Sequence, residues 1–253
     1  MSERPDMVEP NSLDYVLEFQ RFEFKYLIHN RIAEMAKLDI AQHMALDKHC
    51  PNGRPYSLFS VYFDTDDWQA YYEKLDGIKQ RKKFRVRSYR VAPEPDDEVL
   101  LEIKEKNKDV IFKRRTPLPN KVASELLGSL HIPNWGMGED DAVAQEWRRS
   151  IIRNGLKPKI LVAYERTAFS SKNNSDVRVT FDSSVNWARP RSGNDFAAHK
   201  RPVPNLRDHT VLEIKFSRFP PGYIGSLIRR YNLTSEAVSK YCETVLAFHR
   251  SIY

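Results

Sequence analysis

Charged and apolar side chains alternate along seven segments of this 253-residue chain, and that alternation constrains the fold more than any other feature. Successive side chains of a β-strand point to opposite faces, so charges two residues apart share one face. Lys83, Arg85 and Arg87, for example, alternate with Phe84 and Val86. The pattern therefore predicts a sheet with one ionic face and one apolar face.

The order of the predicted elements indicates an α+β fold in one domain. Strands are predicted at residues 19–28, 57–64, 79–91, 98–106, 110–116, 159–170, 177–182 and 210–216. Helices are predicted at residues 31–47, 66–74, 121–130, 140–154, 223–231 and 235–251. Short turns between several strands favour hairpins, and we expect the helices at 121–130 and 140–154 to pack outside the sheet.

The chain shows no internal division. Because no repeat or long linker interrupts it, we expect a flexible polar arm over residues 1–18 and a single domain over residues 19–253. No element is predicted for the Pro- and Arg-rich stretch 187–208. From the residues alone, Ser239 and Lys240 fall near the middle of the surface of the last helix.

Ten cations and four carboxylates occupy the ionic face of the predicted strands. The cations are Lys25, Lys83, Arg85, Arg87, Lys104, Lys113, Arg115, Arg166, Arg178 and Lys215, and the carboxylates are Glu23, Glu102, Asp182 and Glu213. A solvated sheet face is the ordinary explanation of any one such strand, but a solvated face usually includes many Thr, Ser and Gln. Two like charges about 6 Å apart repel by roughly 3 kcal/mol at an effective dielectric constant near 20. If this face turns inward, it therefore needs a counter-anion.

A ligand with several negative charges in a row matches this excess of cations. A triphosphate or a longer phosphate chain has such a row, and Arg side chains bind phosphate oxygens with two parallel hydrogen bonds. Glu23, Glu102 and Glu213 supply hard oxygen ligands for Mg²⁺ or Mn²⁺, which proteins commonly hold with one or two carboxylates plus substrate phosphates. The ionic face thus predicts a metal-assisted site for phosphate chains.

The composition agrees with an anionic partner but does not distinguish nucleic acid, anionic lipid and phosphate ligands. Lys and Arg outnumber Asp and Glu by 41 to 34, which gives a net charge of +7 and an isoelectric point near 9.3. Cys50 and Cys242 lack metal-binding spacing and are expected to be reduced thiols. No apolar run approaches about 18 residues and residues 1–11 lack a signal-peptide core, so we expect a cytoplasmic protein without a membrane span.

Nucleic-acid binding is a weaker alternative. Basic residues and aromatic residues alternate over residues 81–90, as they do in single-strand binding surfaces. The carboxylates on neighbouring strands would repel a long phosphate backbone laid on an open surface. We therefore expect no nucleic-acid partner.

A series of short motifs resembles the VTC domain of polyphosphate polymerases, a branch of the triphosphate tunnel metalloenzyme superfamily that also includes the CYTH proteins. The motifs are, in chain order, residues 21–26, 60–65, 72–74, 85–89, 102–104, 113–115, 164–169, 177–182, 212–215 and 239–241. Each motif alone is weak, but their order and spacing together are specific. The resemblance implies a closed antiparallel eight-stranded β-barrel that forms a tunnel and is flanked by helices.

The resemblance also implies site residues and a reaction. Arg85, Arg87 and Lys240 would act in catalysis, and Glu213 would hold the metal. Phosphates would contact Lys25, Lys104, Lys113, Arg115, Tyr164, Arg166, Arg178 and Ser239, to which the ionic face adds Lys215. The partners would be ATP and inorganic polyphosphate with Mn²⁺ or Mg²⁺ as cofactor, and the terminal phosphoryl group of ATP would pass to the growing chain. Tyr164 and Tyr89 can equally be core rings.

One departure from the superfamily bears on the choice of reaction. CYTH hydrolases and cyclases begin with an ExExK strand, whereas residues 21–25 of this chain read Arg-Phe-Glu-Phe-Lys. Hydrolysis needs carboxylates and a metal that activate water, but the terminal phosphate of a chain is already an ionised nucleophile. Arg21 in place of an acid therefore favours a polymerase over a tripolyphosphatase or nucleoside triphosphatase. A non-catalytic polyphosphate-binding module is the other alternative.

Overall fold

The computed structural model describes residues 22–50, 53–108, 110–129, 141–172, 177–190, 195–198, 200–217 and 219–252. Within these ranges the strands are β1 Phe22–His29, β2 Met44–Leu46, β3 Tyr56–Asp64, β4 Gln80–Ser88, β5 Glu98–Asn107, β6 Val110–Pro119, β7 Lys157–Ser171, β8 Arg178–Ala188, β9 Arg201–Pro202 and β10 His209–Phe216. The helices are α1 Asn30–His43, α2 Gln69–Leu75, α3 Asn120–Ser129, α4 Ala142–Asn154, α5 Gly222–Arg230 and α6 Lys240–Arg250. The predicted arm over residues 1–18 and Arg21 lie outside the described residues.

All of these strands join one antiparallel sheet. Its continuous order is β1-β10-β8-β7-β3-β4-β5-β6, while β2 pairs with β7 and β9 pairs with β8. The eight strands of the continuous order are the eight that the sequence predicts. The short strands β2 and β9 were not predicted, because two or three residues are too few to show an alternating pattern. The α+β class with an antiparallel sheet is confirmed.

The register of the ladders places the predicted ionic residues on one face. Directly opposed pairs include Lys25 and Glu213, Arg85 and Glu102, and Arg166 and Asp182. Opposite charges that face each other across neighbouring strands stabilise the sheet. The apolar residues between them point to the other face, where they are buried against helices.

The sheet is open, so the described strands do not form the closed barrel that we expected. β1 and β6 are the edges of the continuous order, and the described residues contain no ladder between them. The sheet nevertheless curves enough to bring Lys104 Nζ on β5 within 3.9 Å of Glu23 Oε2 on β1. The contact between these two sides is therefore made by long side chains and not by a described strand ladder.

Helices cover the outer, apolar face of the sheet on both sides. α3 and α4 pack on β5 and β6. The Trp147 ring of α4 lies edge-on to Phe63 of β3 and Phe84 of β4, at centroid distances of 4.9 and 5.2 Å. α1 and α5 pack on β1, β8 and β10 in a second cluster that includes Ile40 and Ile214. The expectation that the helices near residues 121–130 and 140–154 pack outside the sheet is confirmed.

The last helix lies on the concave side of the sheet. Tyr241 and Val245 of α6 belong to an apolar cluster with Ile160, Val162 and Trp187, whose side chains share the face that carries the ionic residues. α6 therefore closes one end of the concave face with apolar packing. Toward the other end, at the start of β3 and the end of β4, the same cluster extends to Leu58 and the half-buried Tyr56. We call this end the open end.

Two helix boundaries differ from the prediction. The helix predicted at residues 31–47 ends at His43, because Met44–Leu46 pair with β7 as a strand. The helix predicted from residue 235 begins at Lys240, because the Ser239 hydroxyl caps it by accepting a hydrogen bond from the Cys242 N–H at 3.4 Å. Placing Ser239 and Lys240 in the middle of that helix was therefore wrong.

The stretch 187–208 contributes to the core in its described part. Phe196, Val203 and Leu206 are fully buried there, and Arg201–Pro202 pair with β8. Burial of these side chains fixes the chain against the sheet, which local sequence patterns do not reveal. Among the described helices, none combines the length and the apolar character required to cross a bilayer.

Candidate functional site

The curved ionic face has two sides with different charge. We use the name cationic wall for seven charged residues in the middle of this face on β4, β5 and β6; they are Lys83, Arg85, Arg87, Glu102, Lys104, Lys113 and Arg115. We call those of β1, β10, β8 and β7 the mixed wall; they are Glu23, Lys25, Glu213, Lys215, Arg178, Asp182 and Arg166. The cationic wall has six cations and one carboxylate, and the mixed wall has four cations and three carboxylates.

Glu102 is the centre of the cationic wall. It is 1% exposed, and its Oε2 accepts a hydrogen bond from Arg85 Nε at 2.6 Å, while its Oε1 lies 2.5 Å from Lys113 Nζ. Arg87 Nε lies 3.6 Å from the same carboxylate. Although burial alone would raise it, the pKa of Glu102 is held below its ordinary range by Arg85, Arg87 and Lys113.

Hydroxyl groups orient the two arginines of β4. Arg85 Nη1 donates to Tyr62 Oη at 2.8 Å. Arg87 Nε donates to Ser60 Oγ at 3.2 Å, and its Nη2 donates to Tyr164 Oη at 3.4 Å. Each guanidinium has five N–H donors, so these contacts fix the side chains and leave further donors for an anion.

Three lysines of the cationic wall stand side by side. Lys104 on β5 lies directly between Lys83 on β4 and Lys113 on β6, and like charges in opposed positions destabilise a sheet. Burial, opposed by Glu23 and reinforced by Lys25, lowers the pKa of Lys104 to about 7. Burial, partly offset by Glu102, lowers the pKa of Lys113 to about 8. An added anion would relieve this repulsion.

Glu213 is the centre of the mixed wall, where four cations surround it. Its Oε1 lies 2.9 Å from Lys240 Nζ and 3.6 Å from Lys25 Nζ, and its Oε2 lies 3.1 Å from Lys215 Nζ and 3.9 Å from Arg166 Nη2. Burial opposes ionisation, but Lys240, the largest of the attractive influences, and the other three cations hold the pKa of Glu213 well below its usual range. Each of these four cations therefore has a carboxylate partner within the protein.

Lys240 reaches the mixed wall from the start of α6. Its Nζ lies 2.6 Å from Asp182 Oδ2, and Asp182 also holds Arg166 through two hydrogen bonds of 2.6 and 2.7 Å. The neighbouring Tyr241 hydroxyl donates to the buried carboxylate of Asp64 at the end of β3. These contacts position α6 so that Lys240 and its Ser239 cap face the site.

Tyr164 joins the two walls. Its hydroxyl accepts from Arg87 of the cationic wall, while Lys240 Nζ lies 5.1 Å and the Arg166 guanidinium carbon 5.4 Å from its ring centroid. Cations above an aromatic ring are attracted to its π electrons. Tyr164 thereby brings Arg87, Lys240 and Arg166 close together. Its ring is buried, as was also expected if Tyr164 is a core residue.

Some predicted site residues lie at the margin. Arg178 Nη2 is paired with Asp47 Oδ2 at 2.9 Å at the open end. Arg115 is exposed and makes no ion pair with a described residue. Lys83 Nζ lies 3.5 Å from Ser239 Oγ and 4.5 Å from the centroid of Tyr241, and no described carboxylate is paired with it.

The carboxylates of the mixed wall suit a divalent metal. Glu23 and Glu213 lie on neighbouring strands and share the ammonium group of Lys25, at 3.2 and 3.6 Å. Two carboxylates completed by phosphate oxygens are a donor set that Mg²⁺ and Mn²⁺ use. The described residues contain no group of three or more His, Cys, Asp or Glu that would hold a metal without such oxygens. Glu102 is the one carboxylate of the cationic wall as defined here, so it lacks such a second ligand and fits a metal less well.

Sequence reasoning missed the uncharged members of the site. Ser60 and Tyr62 of β3 share the face of Arg85 and Arg87 and bond to them. Their strand carries no alternating charge, so a search for ionic residues passes over it. The alternation of Tyr56, Ser60 and Tyr62 with apolar residues would have been a usable signal.

Comparisons with known proteins agree with this architecture. The sequence profile of the VTC domain family matches residues 20–249. A curated relative, vacuolar transporter chaperone complex subunit 4 of Schizosaccharomyces pombe, is 24% identical over 269 residues. The match covers 90% of this chain but only 37% of the relative.

Two solved structures match most of this chain. A candidate adenylate cyclase from Bacillus halodurans has a TM-score of 0.50 at 16% identity, with 87% of this chain and 95% of the other covered. A candidate adenylate cyclase from Vibrio parahaemolyticus has a TM-score of 0.43 at 11% identity, with 89% and 97% covered. The first match supports the antiparallel sheet with flanking helices. Since the family profile spans residues 20–249, this chain belongs to the VTC domain family.

Proposed function

We propose that this domain synthesises inorganic polyphosphate by transferring the terminal phosphoryl group of ATP to a growing phosphate chain. The observation that carries the proposal is the convergence of Arg87, Lys240 and Arg166 on the buried Tyr164, beside a wall whose six cations have one carboxylate. Membership of the VTC family supports a polyphosphate-related function. The specific reaction, phosphoryl transfer from ATP, is argued from the residues of the site.

The reaction requires two phosphate groups to be held in line. A terminal oxygen of the chain attacks the γ-phosphorus of ATP and forms a new P–O bond. The bond from that phosphorus to the β,γ-bridging oxygen breaks, and ADP leaves with the electron pair. Arg85, Arg87 and Lys240 bind the transferred group and stabilise the charge that develops on the leaving oxygen. Lys25, Lys104, Lys113, Arg115, Arg166, Arg178, Lys215 and Ser239 hold the rest of the phosphates.

A divalent metal fits beside this arrangement. Glu213 and Glu23 would hold Mn²⁺ or Mg²⁺ together with phosphate oxygens. When bound, the metal would supply positive charge to the phosphates. Lys25 lies between the two carboxylates and partly compensates their charge.

The electrostatics of the carboxylates favour transfer to phosphate over hydrolysis. The pKa values of Glu23, Glu102, Asp182 and Glu213 are all lowered, because nearby Lys and Arg outweigh the effect of burial. A carboxylate with a lowered pKa is a poor general base for water, whereas an ionised phosphate nucleophile needs no base. Arg21 in place of an acid, outside the described residues, points the same way.

The tunnel and the cellular location are also part of the proposal. We propose that bound phosphates draw the two walls together into a tunnel, because they would bridge cations that now face each other across the open sheet. The cytoplasmic location expected from the sequence stays a prediction, since the curated relative is named for a vacuolar complex.

The test is to incubate the pure protein with ATP and Mn²⁺ and to analyse the products. We expect chains that a polyphosphatase digests, with one ADP released for each phosphate added. Orthophosphate as the sole product would identify a triphosphatase instead. Tight binding without turnover in any divalent metal would identify a binding module.

Two variants test the site assignment. Replacing Arg85 and Arg87 together by Ala should abolish chain synthesis. Arg114→Ala is the matched control, because Arg114 lies on β6 but faces outward, where its Nη2 bonds to Glu146 at 2.6 Å. The control should retain activity. Full turnover in the double variant would contradict the assignment.

A further inference from the structure

Three aromatic rings stand together at the open end of the concave face. We call Tyr56, Tyr89 and His49 the aromatic cluster. The centroid of the Tyr56 ring lies 6.2 Å from that of Tyr89 and 6.1 Å from that of His49. Single exposed aromatic side chains are common on protein surfaces, but three neighbouring rings at the mouth of an ionic cleft are not explained by the binding of phosphates.

The aromatic cluster continues the line of the phosphate-binding residues. Tyr56 is directly opposed to Arg166 across β3 and β7. Tyr89 directly follows the last residue of β4, and its ring contacts that of Tyr56. In ATP, the ribose and the α- and β-phosphates separate the base from the γ-phosphate. A nucleotide with its γ-phosphate at Arg85 and Arg87 and its other phosphates directed toward the start of β3 would therefore place its base beside the cluster.

At the opposite end of the cleft, the Phe248 ring packs against the rings of Trp68 and Trp187. There α6 packs against Ile160, Val162 and Trp187, and these side chains are already buried by protein. A purine that entered from that side would have to displace this packing. The orientation with the base at the aromatic cluster needs no such rearrangement.

The backbone around the aromatic cluster is well anchored. The Ser88 hydroxyl donates to the Arg90 carbonyl at 2.7 Å and accepts from the Arg90 N–H at 2.9 Å, so the turn that carries Tyr89 is fixed. Asp47 N–H donates to the Ala168 carbonyl at 2.8 Å, which fixes the turn that carries His49. The Tyr89 residue is nevertheless 47% exposed. An exposed ring on a fixed backbone is suited to stacking, because little conformational entropy is lost on binding.

We propose that the aromatic cluster binds the nucleobase of a nucleoside triphosphate whose phosphates occupy the ionic cleft. This inference rests on the proposed function for the identity of the phosphate ligand. Stacking acts on the π face that all bases share, and the cluster presents few groups that read base edges. Adenine and guanine nucleotides should therefore bind with affinities within about threefold of each other.

The test compares ligands with and without a base. The affinities of ATP, GTP and inorganic tripolyphosphate are measured by calorimetry for the wild type and for Tyr89→Ala. We expect the variant to bind ATP and GTP roughly tenfold more weakly, a typical loss on removing a stacking ring, and to bind tripolyphosphate as the wild type does. Unchanged tripolyphosphate binding also reports an intact fold.

Two further variants separate stacking from other roles of the ring. Tyr89→Phe keeps the ring and should bind ATP within about twofold of the wild type. Tyr72→Ala removes a tyrosine of similar exposure, 49%, on α2, and should change no affinity. An equal loss for ATP and tripolyphosphate in Tyr89→Ala, or no loss for either, would overturn the inference.

The outcome is distinguishable from a failure of the proposed function. If the wild type binds ATP with a contribution from Tyr89 but makes no phosphate chain, the polymerase proposal fails and the base site stands. If chains form normally and Tyr89→Ala does not change the ratio of ATP to tripolyphosphate affinity, the base site fails and the polymerase stands. If the wild type binds neither ligand, both proposals fail.

Discussion

The cationic wall and the mixed wall are built from similar side chains but differ in how far carboxylates compensate their cations. On the mixed wall, Lys25 is directly opposed to Glu213 and Arg166 to Asp182, so each cation finds a carboxylate within the protein. On the cationic wall, Lys104 is opposed to two lysines, and Glu102 alone serves Arg85, Arg87 and Lys113. The cations of the mixed wall are therefore paired without a ligand, whereas those of the cationic wall are not all paired with a described carboxylate.

The pKa values show the same contrast. Glu213 and Glu23 raise the pKa of Lys25 although burial opposes this. On the cationic wall, burial lowers the pKa of Lys83, Lys104 and Lys113 because too few carboxylates compensate. We infer that the mixed wall positions the phosphates, whereas the cationic wall supplies most of the free energy of binding them.

The largest effect should come from removing the centre of the mixed wall. Glu213→Gln leaves four cations without their shared carboxylate, and breaking a buried ionic network typically costs about 3 kcal/mol or more. We expect the free energy of unfolding, measured with urea, to fall by that amount. Because the variant makes the mixed wall resemble the cationic wall, tripolyphosphate should restore much of the lost stability.

A matched substitution controls for the loss of a carboxylate. Glu165→Gln alters an exposed residue of β7, and its free energy of unfolding should change by less than about 0.5 kcal/mol. If Glu213→Gln were as stable as this control, Glu213 would not hold the mixed wall together.

The second prediction concerns pH and belongs to the cationic wall. In the free protein, Lys104 and Lys113 lose their protons as the pH rises through about 7 and about 8. A bound polyanion favours the protonated forms, so binding takes up protons and the affinity for tripolyphosphate falls as the pH rises. Between pH 7 and pH 8 the affinity for tripolyphosphate should fall by nearly tenfold, which corresponds to the uptake of about one proton on binding.

Calorimetry in buffers of different ionisation enthalpy would measure this proton uptake. Lys104→Arg should flatten the dependence between pH 7 and pH 8, because a guanidinium stays charged there. The carboxylates of both walls have lowered pKa values and do not titrate in this range. An affinity that is constant from pH 7 to pH 9 would show that the lysines remain charged without a ligand.

A direct comparison of the walls gives a smaller effect. Lys104 Nζ has its nearest carboxylate oxygen at 3.9 Å, whereas Lys215 Nζ lies 3.1 Å from Glu213. Lys104→Ala should weaken tripolyphosphate binding about tenfold, as expected for a lost charged hydrogen bond. Lys215→Ala should weaken it by about threefold or less, because that charge is already shared. Equal losses would contradict the distinction between the walls.

Much of the sheet could be predicted from the sequence because strand parity is a local property. The alternation in residues 83–87 and 102–104 assigns side chains to faces without knowledge of the fold, and the ladders confirm the assignment. The open edges of the sheet were not predictable in this way. Contacts between distant strands, such as that of Lys104 with Glu23, are not encoded in any local pattern.

The candidate site was predictable only where it is charged. The basic residues and carboxylates were found by sign and spacing, but the roles of Asp182 and Glu213 as shared partners of several cations depend on the approach of α6. Ser60 and Tyr62 carry no charge and were missed. Lys240 lies at a helix start because Ser239 caps α6. The sequence did not show this, because its helical pattern continues upstream to residue 235.

The smallest predicted effect lies at the edge of the mixed wall. Arg178 is implied by family resemblance to contact phosphates, yet its guanidinium is 2.9 Å from Asp47 and its side chain is 40% exposed. Solvent-exposed ion pairs contribute little, so Arg178→Ala should weaken tripolyphosphate binding no more than about twofold. Asp47→Asn is the complementary variant, because it frees Arg178 to turn toward a phosphate and should slightly strengthen binding. A tenfold loss in Arg178→Ala would instead mean that the phosphate chain extends to the open end and displaces Asp47, which would make the edge of the mixed wall part of the binding path.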